Sequence, residues 1–412
     1  VGEGSAPRGV HLNDGWLGTG WDERSGRLLA GTGYEGGRPW SGPRPVPDAA
    51  GVASAVRWTP SFGRHAGMAV EPVLDGDSAR LRAGYVHAAG YGVELWIGRR
   101  AVGYGVGAGG RIVFDGAVPL DGGGLRLADP RMLPGPLQHL GPVRFDMVLS
   151  RVDDNGEFER PWLWGMRGAV SPHERVTLGL TRGIMFGGGG NTSPSLRALA
   201  YMLVGKHAGR GGEFDNQVLA LDVRWRPPFG PVPFVVYGEW GMEDSAGAWR
   251  DVPGVIVGAE VAALPGEPNA GVGVEHVRFW ESCCGNPLWY RNWAFQGGWT
   301  DGGEPLGHPL GGHGEEWLAY GHADLFDARL RLRVRGFLRR RGSENLFAPA
   351  RESTSGGGAF EAELRAASSV EAYLSLAFES ADVGVEDEGW RASSTVAGVR
   401  VLLGPGAPDR SR

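Results

Sequence analysis

Charge and hydrocarbon alternate residue by residue over 327–341, Asp-Ala-Arg-Leu-Arg-Leu-Arg-Val-Arg-Gly-Phe-Leu-Arg-Arg-Arg. Side chains two apart share one face of a strand, so Arg329, Arg331, Arg333 and Arg335 point one way and Ala328, Leu330, Leu332 and Val334 the other. A helical period would scatter them. The same period of two returns along the chain. Over 80–87 it puts Leu81, Ala83 and Tyr85 on one side, and over 143–150 it sets Val143, Phe145, Met147 and Leu149 against Arg144 and Asp146. Over 218–226 it sets Leu219, Leu221, Val223 and Trp225 against Asp222, Arg224 and Arg226. Further two-faced segments fall at 91–97, 175–181, 233–240, 271–280, 289–296, 317–324, 359–367, 370–379 and 395–403. About eighteen strands are expected in all, an even number of the kind outer-membrane barrels use. Tight reversals are expected at Asp121-Gly-Gly-Gly124, Asp153-Asp-Asn-Gly156, Asp301-Gly-Gly303 and Glu386-Asp-Glu-Gly389.

Two stretches break this rhythm. Residues 134–140, Pro-Gly-Pro-Leu-Gln-His-Leu, suggest a short helical turn. Within 192–207 the spacing predicts a helix over about 193–204, with Ser193 as its cap, Pro194 in the first turn and Leu196, Leu199, Ala200 and Leu203 on one face. Inside a wide barrel such a helix would narrow the pore.

A soluble two-sheet sandwich also alternates, so period alone leaves both architectures open. Three features favour the barrel. The apolar faces carry little charge over roughly eight to ten residues, the tilted length that crosses the hydrocarbon layer. Tryptophans fall at strand ends (Trp225, Trp240, Trp280, Trp289, Trp293, Trp299, Trp317, Trp390), where interfacial girdles are built. The arginine strand is followed by one with Glu361, Glu363 and Arg365 and then one with Glu371 and Glu379, so cross-strand pairing would neutralise an arginine wall facing a wet lumen. The expected fold is all-β: a single antiparallel transmembrane β-barrel over 51–404, with a Gly/Trp- and Pro-rich lead-in segment at 1–50 and a polar tail at 405–412.

Composition agrees and narrows the function. The 73 glycines and 28 prolines suit many short strands and turns. Net charge is only -6 with the signs interspersed, which excludes a polybasic nucleic-acid footprint. No apolar run is long enough for a transmembrane helix; the best, 255–264, is interrupted by Glu260. The first residues lack the basic start and apolar core of a signal peptide, so an export signal would have been removed. Cys283 and Cys284 are adjacent, without metal spacing. His308, His313, Glu315 and Glu316 cluster in sequence but match no ligand pattern, so neither metal nor cofactor is expected. The glycine run 187–190 precedes the helix like a phosphate cradle but lacks the Gly-Lys-Ser/Thr ending. No nucleophile elbow or Ser/His/acid set appears, so no catalytic residue is assigned. The arginine row reads either as a groove for an acidic polymer or as a wall salt-bridged to Glu361 and Glu363.

An ordered series of motifs resembles the Wzi-type capsule-assembly family. It runs from Leu133-Pro and Leu140-Gly-Pro142 through Arg182-Gly-Ile-Met-Phe-Gly-Gly-Gly-Gly190, Leu221-Asp-Val-Arg-Trp225 and Tyr237-Gly-Glu-Trp-Gly-Met-Glu-Asp244. It continues with Trp289-Tyr-Arg-Asn292, the Gly/Pro-rich 298–312 and Glu344-Asn345. The resemblance implies a Gram-negative outer-membrane barrel, partly plugged by helical or loop segments, that binds exported capsular polysaccharide like a lectin and holds it on the cell surface without catalysis. The positions carrying the pattern, Arg182, Gly187, Gly188, Glu243, Asp244, Tyr290, Asn292, Gly307 and His308, are expected to shape the pore and surface loops. Two departures stand out. The last strand ends without a terminal aromatic, and the small helical content predicts a reduced plug and a more open pore. Sugar chemistry singles out Trp289, Tyr290, Arg291, Asn292, Trp293 and His308, since aromatic faces stack on sugar C–H faces and Arg and Asn satisfy hydroxyls and carboxylates. Interfacial packing is the competing reading for Trp289 and Trp293. The partners expected are surface polysaccharide and outer-membrane lipid, around a monomer with or without other envelope proteins. A diffusion channel, a structural subunit of an envelope complex and a barrel enzyme remain as alternatives.

Overall fold

The computed structural model describes residues 9–22, 51–59, 61–62, 66–75, 78–203, 214–228, 234–243, 253–267, 269–280, 289–346, 352–367, 370–383 and 390–403. Cys283, Cys284, Asp244 and the 386–389 reversal lie outside them.

Of the twenty strands in the main sheet, Ser61–Phe62 and Arg131–Met132 are two-residue stubs; the other eighteen pair antiparallel, each with the next. The ring is closed by Gly9–Asp22, which pairs with Gly51–Thr59 on one side and with the last strand, Trp390–Leu403, on the other. The fold is therefore an all-β barrel. Its first strand lies within the stretch read as a lead-in, because glycine and tryptophan alternate there too weakly to show a period. Asp121-Gly-Gly-Gly124 is not a reversal; it lies inside the strand Pro119–Leu127, where Gly124 makes room for the Trp96 indole. Asp301-Gly-Gly303 does reverse, joining Thr300–Asp301 to Glu304–Pro305 with φ of 59° and 83° at Gly302 and Gly303.

The two faces are sorted as a membrane barrel requires. In the strand Leu330–Arg341, Val334 and Leu338 are 55% and 69% exposed, whereas Arg333, Arg339 and Arg341 are 7%, 3% and 2% exposed. Leu95, Ile97, Leu178, Leu180, Leu221, Val223, Val257, Val272 and Val274 continue the exposed apolar band, with Trp225, Trp240, Trp280 and Trp317 on the same outer face. A soluble sandwich would bury the leucines. Arg329 does not join the row: it belongs to the turn after Phe326, Asp327 and Ala328, all three of which have positive φ.

Two inward tyrosines lie flat over glycines of the neighbouring strand, Tyr237 over Gly258 and Tyr320 over Gly273. The pairing covers bare backbone with an aromatic face.

The connections alternate in length around the ring. Two-residue turns at 91–92 and 174–175 share one end, and the long connections 102–118, 152–161, 187–214, 280–313 and 342–352 share the other. The short helical turn Gly135–Leu140 is at the short-turn end.

Candidate functional site

Two of the long connections turn back into the barrel and pack against its inner wall. Ile112, Val113 and Phe114 from 102–118 pack with Trp289, Tyr290, Phe295, Trp299, Leu306 and Leu310 from 280–313. The wall residues they meet include Leu163, Met185, Val218, Ile256, Val277 and Phe279. These wall positions sit toward the strand ends from which the loops depart, so the dry core occupies the loop-bearing half of the lumen. Inner-face glycines give it room. A Cβ at Gly183 would overlap the Trp299 ring, and one at Gly241 would lie 2.6 Å from the Ile112 side chain.

Hydrogen bonds lock the first loop to the wall. The Glu239 carboxylate accepts the backbone N–H groups of Val106 (2.6 Å), Gly107 (2.9 Å) and Ile112 (3.0 Å). Glu275 accepts those of Ala108 (2.6 Å) and Gly109 (2.7 Å) and the Tyr237 hydroxyl (2.9 Å). Buried carboxylates are tolerated here because charge-assisted hydrogen bonds replace their water. The run Gly103-Tyr-Gly-Val-Gly-Ala-Gly-Gly110 suits this wrapping, since at Gly105 (φ 140°) a side chain would strike the Glu239 carboxylate.

The second loop hangs on the first. The Tyr290 hydroxyl donates to the Ile112 carbonyl (2.6 Å) and accepts the His308 N–H (2.9 Å), and the Trp299 indole donates to the Val113 carbonyl (2.8 Å). Tyr290 has a left-handed φ of 62°, held by donation of its own N–H to Glu243 (2.5 Å). Burial pushes its phenol well above the usual range, so it stays a neutral donor. Gly307 lies against this hydroxyl and the Ile112 carbonyl with no space for a Cβ. Asn345 donates to the carbonyls of Leu310 (2.8 Å) and His313 (3.0 Å), fastening the far end. Tyr290→Phe removes both hydroxyl bonds and leaves a buried carbonyl and a buried N–H unpaired, at about 1–3 kcal/mol each. The urea midpoint of the detergent-solubilised barrel should fall accordingly.

These facts redistribute the residues picked out for sugar contact. Trp289, Tyr290 and His308 are buried at 1% or less and build the plug rather than a sugar-facing surface. Segment 289–296 is loop, not strand. Arg291 is half-buried and donates to Glu344 (3.3 Å) and to the Asn345 carbonyl (3.2 Å), while Asn292 accepts the N–H groups of Ala294 and Phe295. Trp293 alone of the six stands in solvent, 76% exposed, its ring edge-on to Phe214 at 4.8 Å. Behind it Phe214 stacks on Phe158, which meets Phe295 of the plug, so the exposed indole rests on a rigid aromatic base. The expectation of a reduced plug and a more open pore is thus corrected: the plug is built of loop, which a count of helical residues does not register.

The short-turn half of the lumen is polar. Arg331 pairs with Asp324 (2.9 Å) and Glu363 (3.8 Å), and Arg333 with Glu361 (3.5 Å) and Glu363 (3.7 Å), along directly opposed positions of adjacent strands. Arg335 lies on the same face, one step closer to the plug. At the opposite, loop-bearing end of the same strand, Arg339 bonds Glu316 and lies 3.6 Å from Glu379, which also receives Arg341 (3.8 Å) and the Ser355 hydroxyl (2.8 Å). The wall is therefore internally neutralised. Among the described residues no group of His, Cys, Asp and Glu is arranged to hold a metal.

The remaining family-pattern residues lie near the loop-bearing rim. Gly187 and Gly188 take φ of 63° and 100°, as a turn of bare backbone. Arg182 is on the outer wall, donating to Gln217. The helix, Leu196–Leu203, is also outside. Gly183 faces the plug, so Ile184 and Phe186 face outward, and Ala198 and Met202 pack on them with Trp162 and Trp164 alongside. It does not narrow the pore. Its cap is Ser195, which accepts the Ala198 N–H (3.1 Å), rather than Ser193.

A closed, loop-filled barrel with an apolar outer band is an outer-membrane protein of the Gram-negative type. The sequence profile of the capsule assembly protein Wzi family matches residues 46–395, and the chain belongs to that family. Among solved structures it is similar to Wzi of Escherichia coli, an outer membrane protein involved in group 1 capsule assembly and a carbohydrate-binding β-barrel. The TM-score is 0.76 at 17% identity, over 97% of this chain and 85% of that one. OccK5 (OpdH) of Pseudomonas aeruginosa follows the same fold at TM-score 0.54 and 10% identity, over 96% and 98% of the two chains. OprD of that organism does so at 0.53 and 9%, over 95% and 94%. No curated protein sequence matches the chain.

Proposed function

We propose that this barrel binds exported surface polysaccharide at its loop-bearing mouth and holds it at the cell surface as a monomer, without chemical turnover. Long loops outside and short turns in the periplasm are the rule for such barrels, which puts Trp293 on the outer surface. The supporting observation is an exposed indole on a fixed aromatic base, with Arg291 and Asn292 beside it, above a loop-built core inside the barrel. A diffusion channel has no use for a dry core, so the likeness to OccK5 and OprD is read as one of fold.

Trp293→Ala removes the stacking face and leaves the plug intact. An aromatic contact of about 1–1.5 kcal/mol corresponds to a roughly tenfold weaker Kd for the cell's own surface polymer. Binding of labelled polymer to detergent-purified protein reads it directly. No affinity in the parent protein would remove the proposal; parent affinity unchanged in Trp293→Ala would move the site elsewhere on the mouth.

A further inference from the structure

The helix Leu196–Leu203 is unused by the plug and by the polysaccharide reading, and its position suggests a separate role. On the strand that precedes it, the outward residues pass from exposed Leu178 and Leu180 to Arg182; on the next strand they pass from Leu221 to Gln217 and Asp215. The hydrocarbon band therefore ends just below Arg182, and the helix lies above that boundary, against Ile184, Phe186, Trp162 and Trp164. That is the level of the outer-leaflet headgroups.

The surface there is amphipathic. Leu196 is 86% exposed. Next to it the Arg197 guanidinium is held on the Tyr201 hydroxyl by two donations, 2.8 and 2.7 Å. Arg151 lies 3.8 Å over the Trp162 ring at the same rim, on the outward face. The adjacent Asp121 is taken by Arg99 at 2.5 Å, and Asp215 is buried. Glu157 and Glu159 belong to the loop 152–161, Glu159 bridged to Gly189. From 191 to 212 the sequence contains basic residues but no carboxylate. An exposed leucine beside fixed guanidinium groups matches a bilayer surface, acyl chain below and phosphate above.

We propose that this helix is an interfacial foot that docks on the outer leaflet, with Leu196 at the acyl boundary and Arg197 and Arg151 facing the phosphates of an anionic glycolipid. The foot fixes the rotation and depth of the barrel beside the mouth.

The test places an environment-sensitive fluorophore at Leu196→Cys, in a Cys283→Ser/Cys284→Ser background, with Trp293→Cys as the water-exposed comparison. In vesicles of phosphatidylcholine and lipid A, the label at 196 should be quenched by lipids carrying a shallow nitroxide and protected from aqueous iodide; the label at 293 should behave oppositely. Arg197→Glu should reduce the quenching at 196 at least twofold in lipid A vesicles, while heat-modifiable gel migration reports a folded barrel. Inorganic phosphate should not compete, which separates a lipid headgroup from a free anion. Iodide quenching at 196 equal to that at 293 would overturn the proposal, as would quenching by lipid that ignores both lipid A and Arg197→Glu. Neither result bears on polysaccharide binding.

Discussion

Replacing Glu239 and Glu275 together by alanine is expected to unlatch the lumen. Five backbone N–H groups of residues 106–112 end on these two carboxylates. Each unpaired buried donor costs about 1–3 kcal/mol, so the loop loses on the order of 5 kcal/mol or more of its hold. The second loop rests on the first through the Ile112 and Val113 carbonyls and follows it. In planar bilayers the parent protein should be silent and the double variant should conduct, with the barrel still folded by heat-modifiable migration. Glu239→Gln keeps an acceptor oxygen and should stay closer to the parent. A double variant as silent as the parent would show that packing alone retains the plug.

The second large effect is expected at Arg339. Its guanidinium is 3% exposed and sits between Glu316 and Glu379, themselves buried at 2% and 1%. Removing one partner of a buried ion cluster strands the others; about 3–5 kcal/mol is typical. Arg339→Ala should therefore lower the urea midpoint far more than Arg340→Ala, whose pair with Glu352 at 3.0 Å is mostly in water. Equal effects would mean that the cluster is hydrated. The comparison is clean because the two positions are consecutive and only their faces differ.

That pair also shows what the sequence makes legible. Strict alternation in 328–335 reveals a strand, its two faces and, with the glutamates that follow, its neighbour. Strand number and barrel class come from the same period. The plug does not, because residues such as Ile112 and Trp299 are held by contacts far away in sequence and show no period of their own. The segment 289–296 reads as a strand for that reason: aromatic residues alternate there by coincidence with its packing. The helix was legible as a helix, but its side of the wall was not, since Leu199 and Met202 pack equally well on an outer or inner apolar surface. Only the inward placement of Gly183 decides it. Tyr290, Asn345 and Gly307 belong to motifs visible in the sequence, yet their roles as struts need the fold. Glu239 and Glu275 gave no signal beyond two carboxylates on alternating strands; the glycine-rich 103–110 was the available clue to a partner that needed bare backbone amides.

The arrangement rests on hydrocarbon side chains meeting lipid and guanidinium groups meeting the lumen, and spin labels along one strand measure it most directly. Labels replacing Leu332, Val334 and Leu338 in bilayers should relax with dissolved oxygen and ignore an aqueous nickel complex. Labels replacing Arg331 and Arg335 should be poorly accessible to oxygen and, toward the short-turn end, accessible to nickel. An alternating record of this kind is the expected result. Oxygen accessibility at the arginine positions, or nickel accessibility at Leu332, Val334 and Leu338, would contradict the barrel described here.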